Sequence, residues 1–142
     1  MVTRSRKRRR RLGNSGQALV EFAMVAPILL LLIMGIVDFG RAFYTYYVLV
    51  DAAREGGRVA VVANQGTTQQ TVYAHIDTLL VTAGLDPNNA TKTMTGFQTG
   101  TGNPLTVNIA YPFQIRWITP FLGWTGAQAA FTMNSSVTFR NE

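Results

Sequence analysis

The sequence predicts an α+β protein built from a long N-terminal transmembrane helix that extends outward, a short second helix and a small antiparallel β-sheet. Three observations carry that reading. Phe22 to Val37 holds no ionised side chain, helical spacing of apolar residues continues beyond it and resumes between Thr68 and Thr82, and the last third of the chain changes to alternation. The chain of 142 residues is one-domain sized, and the span leaves only a modest body beside it.

The first element is a basic leader. Arg4, Arg6, Lys7, Arg8, Arg9, Arg10 and Arg11 supply seven of the thirteen basic residues before Leu12; the other six face seven acids, which leaves a balance of −1. The net charge of +6 is therefore a property of the tail. Ahead of an apolar span, such a tail places the N-terminus in the cytoplasm and sends the chain beyond Val37 outward. Basic tails also attract phosphates. Here no aromatic residue is interleaved with the arginines and no finger or helix-turn-helix spacing comes after them, so no specific nucleic-acid partner is expected.

The span comes next. A helix from near Gln17 to Val37 is roughly 30 Å long, the thickness of a bilayer's hydrocarbon core. Pro27 lacks a backbone donor and weakens or bends the first turns, which membrane helices tolerate. The competing reading is a removed secretory signal, but the exit "IVDFGRAFYTYY" has no Ala-x-Ala cleavage signal and the apolar run is long for one. Glu21 stands inside the edge of this run. A carboxylate at that depth must find a partner, reach the interface or give up its charge.

Beyond Asp38 the helix is expected to continue, with Phe39, Ala42, Phe43, Tyr46, Tyr47, Val50, Ala53 and Gly57 as its apolar face. Tyr44, Tyr46 and Tyr47 fall where the membrane surface should lie and read as an interfacial belt, with a ligand platform as the lesser alternative. Asp51 with Arg54 is an attractive helical spacing and Arg54 with Arg58 a repulsive one. Gly56 and Gly57 signal close packing or a weakened turn. Asn64 to Thr68 reads as a turn, and a second helix runs from Thr68 to Thr82 with Val72, Ile76, Leu79 and Leu80 as its stripe. It stops at Gly84, before the turn formers Asp86, Pro87, Asn88 and Asn89.

Two long strands come from Leu105, Val107, Ile109, Tyr111, Phe113, Ile115 and Trp117, and from Phe131, Met133, Val137 and Phe139. Thr93 to Phe97 adds a weaker one. Pro112 requires a sheet edge or a bulge at its position. Trp117, Phe121 and Trp124, between the long strands, are core residues or rest on the membrane or on neighbouring subunits.

The chemistry-bearing inventory is short. The chain has no cysteine and one histidine, so disulfides, thiolate metal sites and histidine clusters are excluded. His75 reads as solvated or loosely paired. No GxGxxG, Walker, HExxH or GxSxG pattern is present, and Glu21 and Asp38 stand at opposite ends of the span, too far apart for an acid/base pair. No enzyme activity, catalytic residue, cofactor or metal is expected.

The stretch "GQALVEFAMVAPILLLLIMGIVDFGRAF", Gly16 to Phe43, together with "DAAREGGRVAV", Asp51 to Val61, resembles TadE-like proteins, the minor pilins or pseudopilins of tight-adherence pilus systems. The resemblance covers about the first 60 residues of the 142. It implies a type IV pilin-like N-terminus: a prepilin peptidase cuts between Gly16 and Gln17, Gln17 becomes the new terminus, and Glu21 is its fifth residue. Phe22 matches the aromatic or apolar position next to that glutamate, and Pro27 the early proline, both as packing residues of an assembly helix. Glu21 then pairs with the Gln17 ammonium of a neighbouring subunit and sets its register; an interfacial, snorkelling or protonated carboxylate is the alternative.

The expected division is a basic cytoplasmic leader over 1–16, a transmembrane and extended assembly helix over 17–62, and a small extracytoplasmic α+β domain over 63–142. The resemblance implies a processed, membrane-anchored subunit of a bacterial adhesion or secretion pilus, single-pass in the cytoplasmic membrane with its N-terminus inside and its C-terminal domain outside. Its implied partners are other pilin or pseudopilin subunits, the prepilin peptidase, the pilus assembly platform and the lipid bilayer. The alternatives are an uncleaved single-pass envelope scaffold and an extracytoplasmic binding module.

Overall fold

The structure, a computed structural model, describes residues 13–62, 66–117, 119, 123 and 130–141. The basic leader before Gly13, the centre of the turn read between Asn64 and Thr68, and the side chains of Phe121 and Trp124 lie outside the described residues.

Helix α1 (Gly13–Val61) is one α-helix of 49 residues that runs through Pro27 without interruption. At 1.5 Å per residue it is about 74 Å long, more than twice a bilayer core. It begins at Gly13 rather than near Gln17. Gly13 and Gly16 weaken this first turn, but helix growth is cooperative and nothing upstream of Gln17 forces a break.

Helix α2 (Gln69–Thr82) starts where the Thr68 hydroxyl accepts the Thr71 N–H at 3.2 Å. It ends in a paired closure, with Gly84 N–H donating to the Val81 carbonyl and Leu85 N–H to the Leu80 carbonyl, both at 2.9 Å. That closure needs a left-handed residue, supplied by Gly84 at φ +76°. Asp86 then accepts the Asn88 N–H at 3.0 Å and seeds a single 3-10 turn over Pro87–Asn89.

The sheet consists of β1 (Thr91–Thr95), β2 (Pro104–Gln114) and β3 (Ala130–Arg140), antiparallel in the order β1-β2-β3. Two boundaries differ from the sequence reading. The first strand lies earlier than Thr93–Phe97 because Gly96, at φ +79°, turns the chain under the Pro104 carbonyl, where a Cβ has no room. β2 stops at Gln114, so Ile115 and Trp117 leave the alternating pattern. Pro112 is in the central strand, not an edge strand, and the register Pro104↔Arg140 to Gln114↔Ala130 is unbroken, so it forms no bulge. It is accommodated because β1 pairs only as far as Ala110, leaving the Pro112 flank open on that side.

The core forms where the outer half of α1 meets α2 on one side and the sheet on the other. Leu49, Val72, Ile76, Leu80, Leu105, Val107 and Ile109 are completely buried there. Adjacent glycines make the double contact. A Cβ on Gly56 would come within 2.6 Å of Ile76 Cδ1, and one on Gly57 would overlap the Phe139 ring. Close packing is thus their role. Lys92 of β1 pairs with Asp77 of α2 and ties those layers together.

The apolar face expected on the outer half of α1 holds at Ala53 and Gly57 and is corrected at its aromatic members. Asp38, Thr45, Leu49, Ala52, Ala53, Gly56, Gly57 and Ala60 are buried, whereas Phe39, Phe43, Tyr46 and Tyr47 are exposed. Small side chains allow two other layers to approach the helix backbone, and aromatic bulk on that face would hold them away.

Candidate functional site

Among the described residues nothing buries the inner half of α1. No residue from Gly16 to Val37 is buried, and the helix is apolar around its whole circumference, with a mean hydropathy of 2.6 over its most apolar 18-residue window. Among the described residues it is the one helix long and apolar enough to cross a membrane. A surface of this kind needs lipid or other helices.

Within it, the Glu21 carboxylate is exposed and its Oε1 accepts a 3.0 Å bond from the Gln17 side-chain amide, one turn earlier. Phe22 is 67% exposed and makes no core contact, so its ring is free to pack against something outside the chain. Pro27 faces the same unfilled surroundings. Gly16 has nothing within 4 Å of where a Cβ would stand. A bulky residue at Gly16 is therefore tolerated by the chain's own fold.

The span ends at an anchor. Asp38 is 4% exposed, and among the donors its carboxylate gathers are Arg41 Nη1 at 3.0 Å and the Arg116 N–H at 3.3 Å on Oδ1, and the Trp117 N–H at 2.8 Å on Oδ2. Arg41 supplies the opposite charge, and the two amides come from the connection that leaves β2. A buried carboxylate is stable only with such a set of charge-assisted bonds. The arrangement pins the membrane-side end of the sheet to α1. Arg41 also lies over the Phe113 ring, 5.5 Å from its centroid, a cation–π contact within the same joint.

Of the three tyrosines, Tyr44 donates its hydroxyl to the Ala83 carbonyl at 3.2 Å, bracing the end of α2, while Tyr46 and Tyr47 stand at the surface. Phe39, Ala42, Phe43 and Tyr46 of α1 join Phe131 and Met133 of β3 around an apolar groove of about 350 Å³. Farther out, Glu55 and Arg58 make a bidentate pair at 2.6 and 3.0 Å, and His75 Nε2 stands 3.7 Å from Glu55 Oε1. The Arg58 hydrogen bond holds the Glu55 carboxyl below the usual carboxylate range, against a smaller opposing effect of burial. His75 is accordingly a loosely paired residue between α1 and α2. Among the described residues no group of three or more His, Asp or Glu side chains is placed to hold a metal ion.

The structure keeps Glu21 and Asp38 apart, in the first exposed turns of α1 and at its first buried residue. Sequence reasoning assigned Asp38 no more than a place at the end of the span, and passed over Arg41 and Arg116. The available signal was an acid flanked by Val37 and Phe39, with Arg41 at helical i,i+3 spacing; the other partners, the Arg116 and Trp117 amides, lie far along the chain.

With this geometry in hand, a comparison with protein families is specific. Residues 16–58 match the TadE-like protein family. The matched segment runs from the exposed start of α1 past Glu21 and the Asp38 anchor to the glycine pair in the core. No curated protein and no solved structure matches the chain. The TadE-like segment is thus almost all of α1, while α2 and the sheet stand outside the match.

Proposed function

We propose that this protein is a leader-processed, membrane-anchored minor pilin or pseudopilin that contributes its TadE-like helix to a tight-adherence pilus. The carrying observation is the uncovered inner half of α1, with no buried residue from Gly16 to Val37 and a carboxylate at Glu21. The body packs only on the other half of that helix, so the apolar half is left for insertion and for contact with neighbouring subunits. The non-enzymatic reading goes with it: the features to be explained are an anchor and a packing surface.

Cleavage between Gly16 and Gln17 falls within the first turns of α1. A peptidase has to unwind that turn, and two glycines, Gly13 and Gly16, each lower the helix's stability by about 1 kcal/mol relative to alanine. The product begins with an ammonium on Gln17. The Gln17 side chain already satisfies one oxygen of Glu21 within the chain, so the ammonium of a neighbour would take the remaining acceptor capacity of the carboxylate. The inner membrane, an N-terminus inside and a body outside are the topology this reading requires.

The same hydrogen bond favours a second reading, an uncleaved single-pass scaffold whose Glu21 is satisfied by Gln17 alone. One experiment separates the two. Wild type and Glu21→Gln are compared in the same cells for membrane level, mature N-terminus and crosslinking from positions beside Gln17, with crosslinked partners identified by mass spectrometry. The pilin reading expects unchanged membrane level, a mature chain starting at Gln17 and a sharp fall in crosslinks. An intact N-terminus would leave the scaffold, whereas unchanged crosslinks from a processed variant would defeat the pairing role and leave Glu21 an interfacial carboxylate. Because a Cβ at Gly16 has open space beyond its own helix backbone and the position lies outside the packed body, loss of cleavage in Gly16→Leu reports the fit to the peptidase rather than a folding defect.

A further inference from the structure

The Asp38 anchor does more than pin the sheet, because it brings two arginines to one pocket. Arg41 is held through its guanidinium and Arg116 through its backbone N–H, both on Asp38 Oδ1. The two line an open pocket of about 320 Å³ between α1, the end of α2 and β2, together with Thr45, Asn89, Phe113 and Gln114. Both arginines line the pocket and Asp38 beside it is the one carboxylate these contacts involve, so the charges of the three residues sum to +1. Arg41 uses Nη1 on Asp38, and among the described residues the Arg116 guanidinium has no carboxylate partner. Hydroxyl and amide groups complete a lining with donors on several sides.

Its depth is equally particular. If the apolar run ends at Val37, as the membrane reading of α1 requires, Arg41 lies four residues, about 6 Å, beyond the hydrocarbon edge. A headgroup layer is roughly 5–8 Å thick on each side of the core. The exposed Trp117, whose N–H is held by Asp38, falls at the same level, where amphipathic aromatics prefer to be.

We infer that the pocket between Arg41 and Arg116 is a phosphate-binding site at headgroup depth, fitted to the phosphodiester monoanion of an anionic phospholipid. A planar guanidinium offers paired donors to two phosphate oxygens, and two guanidiniums, one of them already oriented by Asp38 and Phe113, offer them from two sides. A bound headgroup ties the β2 end of the body to the bilayer surface and sets how far the body stands from the membrane before the subunit is extracted. The inference rests on the membrane placement of α1 for its lipid source, while the phosphate chemistry stands on the pocket alone.

The test uses the full chain in nanodiscs, with the side-chain Nε–H signals of Arg41 and Arg116 followed by NMR, a readout that the leader's own affinity for anionic lipid does not move. Three preparations are compared: phosphatidylcholine alone, phosphatidylcholine with phosphatidylglycerol, and phosphatidylcholine titrated with inorganic phosphate. The expected result is a saturable shift of both signals with phosphatidylglycerol, and weakening of that response by roughly tenfold in Arg116→Gln, with partial recovery in Arg116→Lys. Arg54→Gln, outside the pocket, should leave it unchanged. Saturation by inorganic phosphate without any response to phosphatidylglycerol would overturn the lipid source and the placement of Arg41 at the headgroups, yet uphold a phosphate site. No movement of either signal in any preparation, with the Trp117 amide signal showing an intact anchor, would overturn the site itself.

Discussion

Leu30 and Leu49 are the same side chain in the same uninterrupted helix, yet Leu30 is 49% exposed and Leu49 is 0% exposed. Hydrophobicity does not separate them; their neighbours do. Around Leu30 the run Ile28 to Ile33 is bulky on every side, with no groove for a second element to enter. Beside Leu49 the series Ala52, Ala53, Gly56, Gly57 and Ala60 opens two flanks, one filled by Ile76 of α2 and the other by Phe139 of β3. One helix thus carries two kinds of apolar surface. A uniformly large one suits lipid or intermolecular helix packing, and one with small residues at its contacts completes a core within the chain.

The largest expected effect breaks this comparison if it is wrong. Leu49→Ala should cost about 2–5 kcal/mol of folding stability, the usual range for truncating a buried leucine, and leave membrane insertion intact. Leu30→Ala should leave unfolding of the body unchanged. Chemical denaturation of the detergent-solubilised full chain, read from tryptophan fluorescence, measures both. Equal destabilisation by the two substitutions would mean that the inner half is also part of a packed core.

A smaller effect is expected at the boundary between the halves. Asp38→Ala removes the acceptor for the Arg116 and Trp117 amides and should destabilise the joint by about 1–3 kcal/mol, moderated by water reaching the half-exposed Trp117. Hydrogen exchange gives the sharper readout. Those two amides should exchange at least about tenfold faster, while the amides of Val107 and Ile109 in the body of the sheet stay protected. If exchange at 116 and 117 is unaltered, the carboxylate is not what holds the sheet to α1.

The smallest effect lies in the outer half and depends on pH. Arg58 depresses the Glu55 carboxyl below its usual range, so this pair contributes stability that is complete above the unfolded-state value and is lost as the pH falls through the lower folded-state value. Glu55→Gln should therefore lower the thermal midpoint slightly near neutral pH, and this difference should shrink as the pH falls below the usual carboxylate range and through the lower folded-state value. A difference between the two proteins that persists unchanged at the acid end would assign the effect to packing instead of charge.

Much of the fold was legible because its signals are local. The stop of α2 at Gly84, the turn at Asp86 to Asn89, the buried Val72, Ile76 and Leu80, and the alternation from Leu105 to Phe113 each depend on residues a few positions apart. The aromatic face from Phe39 to Tyr47 misled for an equally definite reason. Periodicity shows that a helix has an apolar side, but Asp38 and Thr45 are buried on a different side because the sheet supplies them with an environment there. Glu21 stood out as an acid inside an apolar run, whereas Gly16 and Gln17 came only from the resemblance to TadE-like proteins, whose match covers the same stretch.

By itself the sequence determined the length and polarity of the span, the switch from helical to alternating period, and the placing of an acid at each end of the apolar run, since all of these are contiguous patterns. Only the tertiary structure decided which flank of α1 is covered, how the central strand accepts Pro112, and that Asp38 would meet the amides of Arg116 and Trp117. Those outcomes join segments far apart along the chain whose local patterns carry no information about each other. The contact that gathers Arg41 and Arg116 at one carboxylate exists only once the sheet has docked on the helix.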